Sequence, residues 1–427
     1  MSVTKTLLAL SFLFLLFTCN QDDESGMGTG MEMEMEMEME PEMPTTRDVS
    51  VSIQLPASYD IQTLAFLVDE PGEILSELEL VPGTTNLLEL TEIPFDNKVS
   101  LVLTSIRELS FDLIRTREFK DIPDQISINV PEEDDSDIDF TEIFIDNLDA
   151  NFVDLTSHRF TSVTESAPNQ IRINPSRLAD DSHIFVSLRD ERNNEHRFIW
   201  EEVFEDQPAL ELDFLELPFM SSSTINLAGP TEEEVLFQLV GFNDANGTSN
   251  IILNNDFEPI TNTSIEIELP TFELDRYASF IRVNEESRTY SERRNDLSFD
   301  EISTPYEDAN VEVIFEESEN GISQFMTSGD YIFYSTTFTL EEAIPDLNYA
   351  YTISSPAEEE VTCQISRAVV ERVSAFAPEI IFENLVNSSV GLNQLPNEFD
   401  YNVEVASFLG QEDTVNSWHR TLSFSRN

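Results

Sequence analysis

Cysteine is almost missing: 427 residues hold two, Cys19 and Cys363. No disulfide framework can therefore staple small units together, and stability has to come from packed cores. Cys363 reads as a small buried hydrophobe. Lysine occurs only at positions 5, 98 and 120, and all basic residues together number 22 against 84 acids, for a net charge of −62. A field of that sign repels phosphate backbones and excludes nucleic acid as a partner. The four histidines, His158, His183, His196 and His419, make none of the recurrent zinc spacings. No G-x-S-x-G, Walker loop or G-x-G-x-x-G is present, so the chain reads as non-catalytic, with no cofactor beyond a possible calcium ion. Glycine totals only 12, which leaves Pro, Asn and Asp to supply many turns.

What is present begins at the N-terminus. Lys5 precedes the apolar run LLALSFLFLLFT, residues 7–18. That run is too short to span a bilayer, which needs about 20 apolar residues. A basic start and a short apolar core form the pattern of a secretory signal. The run ends at Cys19 in LLFTCNQDDES, residues 15–25, and turns acidic at once. Cys19 with Leu16 three positions before it resembles the lipobox of bacterial lipoproteins; Phe17 and Thr18 depart from the small residues usual there. The cluster Gln21, Asp22, Asp23 and Glu24 resembles the acidic export signal of Bacteroidota surface lipoproteins. The resemblance implies that residues 1–18 are removed, that Cys19 is lipidated, and that the chain sits on the outer membrane facing the exterior. Acyl chains contribute about 0.8 kcal/mol per buried CH₂, so two or three anchor stably.

Residues 19–46 are low in complexity, with GMGTG, MEMEMEMEME and PEMPTT in succession. Glutamate repulsion, Pro41 and Pro44 oppose a stable helix, and the segment reads as a disordered tether. Fully extended at ~3.3–3.6 Å per residue, it reaches about 90 Å.

From Val49 onward apolar and polar residues alternate, as in VSVSIQL (49–55), VSLVLTS (99–105), SIEIEL (264–269) and YNVEVASF (401–408). Period two with many Val, Ile, Phe and Thr is the signature of half-buried strands. A weak repeat follows: strand, proline corner, strand. It centres on Pro94, Pro175, Pro270 and Pro396, with Pro345 as a fifth candidate. Most units continue into a strand carrying Arg and aromatics: RTREF (115–119), EHRFIW (195–200), SRTYSERR (287–294) and SWHRTLSF (417–424). These stretches resemble the E–F corner and F–G hairpin of immunoglobulin-like and fibronectin-type-III sandwiches, with Tyr277, Tyr349 and Tyr401 at the corner-tyrosine place. A transthyretin-like sandwich fits nearly as well. The expected fold is all-β, with tandem β-sandwich modules over 47–133, 140–218, 222–305 and an enlarged or split 308–427.

Two places invite chemistry. EEDDSDIDF, residues 132–140, sets Asp135, Asp137 and Asp139 in a D-x-D-x-D spacing that can wrap calcium, although Phe140 stands where a turn glycine is expected. The competing reading is a solvated linker; a calcium-dependent rise in melting temperature, abolished by Asp137→Asn, separates the two. Trp200 and Trp418 lie on comparable strands beside His–Arg pairs and could stack on a sugar ring, or else cover a sheet edge or module junction. Asp413-Thr414-Val415 resembles a short O-glycosylation acceptor. The function expected is that of a surface lipoprotein whose modules bind an unknown protein or glycan. The alternatives are an accessory glycan binder of a polysaccharide-uptake system and a structural spacer.

Overall fold

The computed structural model describes residues 45–108, 112–130, 138–157, 163–167, 169–178, 183–202, 209–228, 234–243, 248–256, 264–284, 288–302, 304–305, 311–319, 321–395, 399–410 and 419–426. Cys19, Asp135, Asp137, Trp418 and the 413–415 motif lie outside them. The fold is all-β and sandwich-like, and residues 45–427 form one unit. Among the described residues no helix is long and apolar enough to cross a membrane.

The first segment has seven strands: β1 (Thr46–Gln54), β2 (Gln62–Asp69), β3 (Ile74–Glu79), β4 (Thr85–Pro94), β5 (Val99–Glu108), β6 (Asp112–Phe119) and β7 (Gln125–Asn129). β1 pairs with β4 antiparallel and β7 parallel; β2 lies between β3 and β5, and β5 pairs with β6. In an immunoglobulin sandwich the first strand shares a sheet with the second. Here it sides with the fourth and seventh, so the pairing departs from the immunoglobulin order.

The same pairing returns in the third segment: β17 (Ser221–Ala228), β18 (Glu234–Asn243), β19 (Thr248–Asp256), β20 (Ser264–Leu269), β21 (Arg276–Asn284), β22 (Arg288–Leu297) and β23 (Thr304–Pro305). The second segment comprises β8 (Ile138–Phe140), β9 (Ile143–Asp146), β10 (Val153–Ser157), β11 (Val163–Ala167), β12 (Gln170–Ile173), β13 (Ser176–Leu178), β14 (His183–Asp190), β15 (Glu195–Glu202) and β16 (Leu210–Asp213). β9 again pairs antiparallel with β12 and parallel with β16, opposite a β10-β14-β15 sheet. In the fourth segment β24 (Glu312–Glu319), β25 (Ile322–Ser328) and β28 (Glu360–Gln364) cover a sheet of β26 (Phe333–Leu340), β27 (Leu347–Pro356), β29 (Leu385–Leu395) and β30 (His419–Ser425). Pro94 closes β4, and Pro175 and Pro270 follow β12 and β20, before the chain crosses from one sheet to the other. Pro345 instead turns the β26–β27 hairpin within one sheet.

One expected strand is a helix. Residues Tyr401–Phe408 form α2, after the shorter α1 (Arg367–Val373). Asp400 caps α2 by accepting from the Asn402 amide at 2.8 Å. The alternation in YNVEVASF hides a second spacing, Tyr401, Val405 and Phe408, which is one helical face and packs on the first segment's core. Tyr401 is therefore no sandwich-corner tyrosine. Its hydroxyl donates to the Lys120 carbonyl at 2.7 Å, tying the helix to the first segment.

The four-stranded sheets do not end at their segments. β22 pairs antiparallel with β30, and β27 pairs parallel with β6, so one twelve-stranded sheet runs through the third, fourth and first segments. Joining edges in this way removes rows of unpaired N–H and C=O groups. It also explains the continuous run LAFLV in β2. Ala65 and Leu67 face one core while Leu64, Phe66 and Val68 face another, so the strand is buried on both sides.

Each seam buries a glutamate. Glu118, 1% exposed, takes a 2.6 Å hydrogen bond from Tyr351 across the β6–β27 seam and an ion pair from Lys120. Glu292, 2% exposed, accepts from Tyr290 and faces Arg420 at 3.3 Å across the β22–β30 seam. Turns meet the glycine shortage as expected. Asp121, Asn147, Asn169, Asn194 and Asp346 all adopt positive φ, a region that Asn and Asp tolerate better than most side chains.

Candidate functional site

Of the candidate site residues singled out by sequence, Asp139 and Trp200 lie among the described ones. Asp139 lies on β8 opposite Arg177 of β13, and its two companions are outside the described residues. No group of three His, Cys, Asp or Glu placed to hold a metal occurs among the described residues. Trp200, on β15, is half-buried. Its indole stacks on Phe272 with ring centroids 4.2 Å apart and on His183 at 4.8 Å. Phe272 belongs to the third segment and also meets Phe198 and Phe185 edge-on, so Trp200 is part of an aromatic junction between the second and third segments. Beside it Glu268 accepts from Arg189 at 2.5 Å and contacts His196. Burial alone would raise the Glu268 carboxyl's pKa; the His196 and Arg189 bonds outweigh it and hold the pKa below the usual range.

A different surface stands out in the fourth segment. Its sheet turns Tyr334, Phe338, Tyr351, Ile353, Val390 and Leu392 inward toward β24-β25-β28. Residues of opposite parity face away. On β26 and β27 these are Ser335, Thr337 and Thr339 opposite Ser354, Thr352 and Ala350. On β29 and β30 they are Ser389, Gly391 and Asn393 opposite Ser425, Ser423 and Thr421. Among these described positions there is no Asp, Glu, Lys or Arg, in a chain whose charged fraction is 25%. The result is a floor of short hydroxyl side chains, most of them half-buried. Cross-strand bonds pin some hydroxyls: Thr337 to Thr352 at 3.1 Å, and Thr421 donating to Asn393 at 2.6 Å. Gly391 keeps the floor low, because a Cβ there would meet the Ser335 hydroxyl at 2.8 Å.

Arginines border this floor on both sides. The register carries it into β6 at Arg115 and Arg117, opposite Ala350 and Thr352. At the other side it passes Thr289 and Ser291 of β22 to Arg293 and Arg282. From β6 to β22 is five strand spacings, about 24 Å at ~4.8 Å each. A depression lies at each border. One, of about 250 Å³, is lined by Ser105, Arg107, Leu113, Arg115, Arg117, Ser407 and Phe408. The other, of about 270 Å³, is lined by Gln238, Val240, Ala278, Ser279, Phe280 and Arg293.

Hydrogen-bonding side chains dominate this surface, and no nucleophile–base pair is built on it among the described residues. It can offer hydroxyl contacts across a flat area and cationic contacts at its margins. The one sequence signal that pointed to it was the Arg-bearing strand after each corner; the Ser and Thr positions looked like ordinary outward strand residues. Comparison with known proteins finds no matching family model and no matching curated protein.

Proposed function

We propose that the chain is a non-catalytic, lipid-anchored cell-surface protein that binds a partner on the hydroxyl floor of its fourth segment. The observation that supports this reading is the charge-free face of β27, β26, β29 and β30 within a chain of net charge −62. An exposed sheet face needs only polarity to remain soluble, and acids are this protein's usual means of supplying it. Short hydroxyls in register suit a ligand that itself carries many hydrogen-bonding groups, which favours a glycan over an apolar peptide. Trp200 adds nothing to that preference, since its stacking partners are the protein's own rings. Cys19 supplies the anchor and the acidic residues after it the outward routing, by the resemblance of that segment to surface lipoproteins.

Affinity electrophoresis of the full chain through polysaccharide gels, alongside capture from outer-membrane extracts, tests the binding surface. Thr337→Glu with Ser423→Glu places two charged side chains on the floor and should abolish retention while leaving the melting temperature within a few degrees. Equal retention by both proteins, or none by the wild type in either format, rejects the floor as a binding surface. Mass spectrometry of the mature N-terminus tests the anchor separately: a diacylglyceryl-modified Cys19 is expected, and an unmodified mature terminus refutes it.

A further inference from the structure

We propose that the depression between β5, β6 and α2 is a binding site for an oxyanion, a carboxylate or sulfate carried on a ligand of about the size of one sugar ring. Its basic residues come from two adjacent strands. Ser105 stands opposite Arg115, Arg107 opposite Leu113, and Leu103 opposite Arg117, so all three arginines share one face. Arg115 and Arg117 are two positions apart on β6, about 7 Å along the strand. Three like charges so close repel one another unless something neutralises them.

Among the described residues, a carboxylate partner is found for one of the three. Arg117 donates to Glu404 of α2 at 2.5 Å and to the Ser354 hydroxyl at 3.1 Å, which holds its guanidinium in place. Arg107 and Arg115 are exposed and have no carboxylate partner among the described residues. Scarcity of acids cannot explain this, because the chain has 84. Elsewhere its arginines take carboxylates readily: Arg47 with Asp124, Arg172 with Glu142, Arg197 with Glu195, Arg372 with Glu77. Residues 109–111, between β5 and β6 in the sequence, are Leu, Ser and Phe and include no acid.

The remaining lining sets the size and character of the ligand. Ser105 and Ser407 offer hydroxyls, while the half-buried Phe408 ring and Leu113 offer apolar surface. A volume of about 250 Å³ accepts a single ring and excludes a bulky polyanion. Guanidinium forks recognise carboxylate and sulfate oxygens through paired hydrogen bonds, which a lysine cannot reproduce. The protein's overall negative field works against anions, so selection falls on ligands small enough to reach this one cationic pocket. This site stands whether or not the neighbouring floor binds a partner, and the two are tested by different variants.

Thermal shift and calorimetric titration of the full chain provide the test. Sodium glucuronate and sodium sulfate are the probes; glucose and sodium chloride at matched ionic strength are the controls. A saturable stabilisation by glucuronate or sulfate, with a millimolar or tighter midpoint and no counterpart in the controls, is expected. The tighter of the two identifies carboxylate or sulfate as the preferred group. Arg115→Gln and Arg107→Gln should each weaken the response at least tenfold, and Arg115→Lys, which keeps charge and fold but loses the fork, should weaken it severalfold. Arg372→Gln should leave it unchanged. No saturable response to either anion, or an equal response from the wild type and all three pocket variants, overturns the proposal.

Discussion

Tyr351→Phe tests the seam between the first and fourth segments with the least disturbance. The substitution deletes one oxygen and leaves the ring, so no cavity of consequence opens. What is lost is the 2.6 Å hydrogen bond from the Tyr351 hydroxyl to the Glu118 carboxylate, with the weaker 3.4 Å contact from the Ser366 amide. Burial first, and the adjacent Glu118 charge second, push the Tyr351 hydroxyl far above the usual phenol range, so it remains a donor at any ordinary pH. Glu118 is 1% exposed and cannot recover a water in place of the hydroxyl. Lys120 still neutralises it: desolvation pulls the Lys120 ammonium down, but Glu118 outweighs that and keeps it charged. Hydrogen bonds to charged groups are each worth about 1.5–3 kcal/mol. A loss of about 2 kcal/mol should lower the melting temperature of a cooperative block of about 200 residues by roughly 4–8 °C. Differential scanning calorimetry measures this directly. Glu118→Gln serves as the companion, since it retains an acceptor for Tyr351 but strips Lys120 of its counter-ion. A Tyr351→Phe protein melting within 1 °C of the wild type would refute the reasoning that this buried carboxylate depends on the hydroxyl.

Three further expectations follow from other parts of the molecule. Gly321, at φ +73°, has no room for a side chain, as a Cβ would lie 2.7 Å from Phe382 and 2.8 Å from Ile365. Gly321→Ala should cost about 2–5 kcal/mol in urea unfolding, from left-handed strain of ~1–2 and overpacking of ~1–3 kcal/mol; a loss under 1 kcal/mol would contradict the packing described. The depressed pKa of Glu268 stabilises the fold at pH values above its ordinary 4.5, and that contribution fades as pH falls below 4.5 through the folded value. The melting temperature of the wild type should therefore drop more steeply below pH 4.5 than that of Glu268→Gln, and parallel acid limbs would rule the linkage out. Burial pushes the Cys363 thiol up to about 12. In a chain beginning at residue 20 it should react with an aromatic disulfide reagent at pH 8 at least a hundredfold more slowly folded than in denaturant; equal rates would show that the thiol is accessible.

Much of the strand content was legible because period-two alternation reports a half-buried face whatever the neighbouring chain does. β1, β5 and β20 follow their alternating runs, and the Arg-bearing stretches became β6, β15, β22 and β30. Residues 401–408 misled because their apolar residues satisfy both the strand and the helical period over eight positions. Which period wins there depends on the Asp400 cap and on a core in another segment for Tyr401 and Val405 to meet. The pairing of the first strand with the fourth and seventh was equally out of reach, since the same strands with the same faces can be ordered either way within a sandwich.

Sequence alone determined the acidic character, the apolar run that ends at Cys19 and the alternation of the strand-rich body, because each is a property of composition or of residues close together in the chain. Only the tertiary structure decided that β6 would lie beside β27 and β22 beside β30. It likewise decided that unremarkable serines and threonines would line up on one face, and that Arg107, Arg115 and Arg117 would gather under α2. Strand edges join through backbone groups that every residue type carries, so the choice of neighbour leaves no mark on the local sequence and depends on which edges and cores fit together in space.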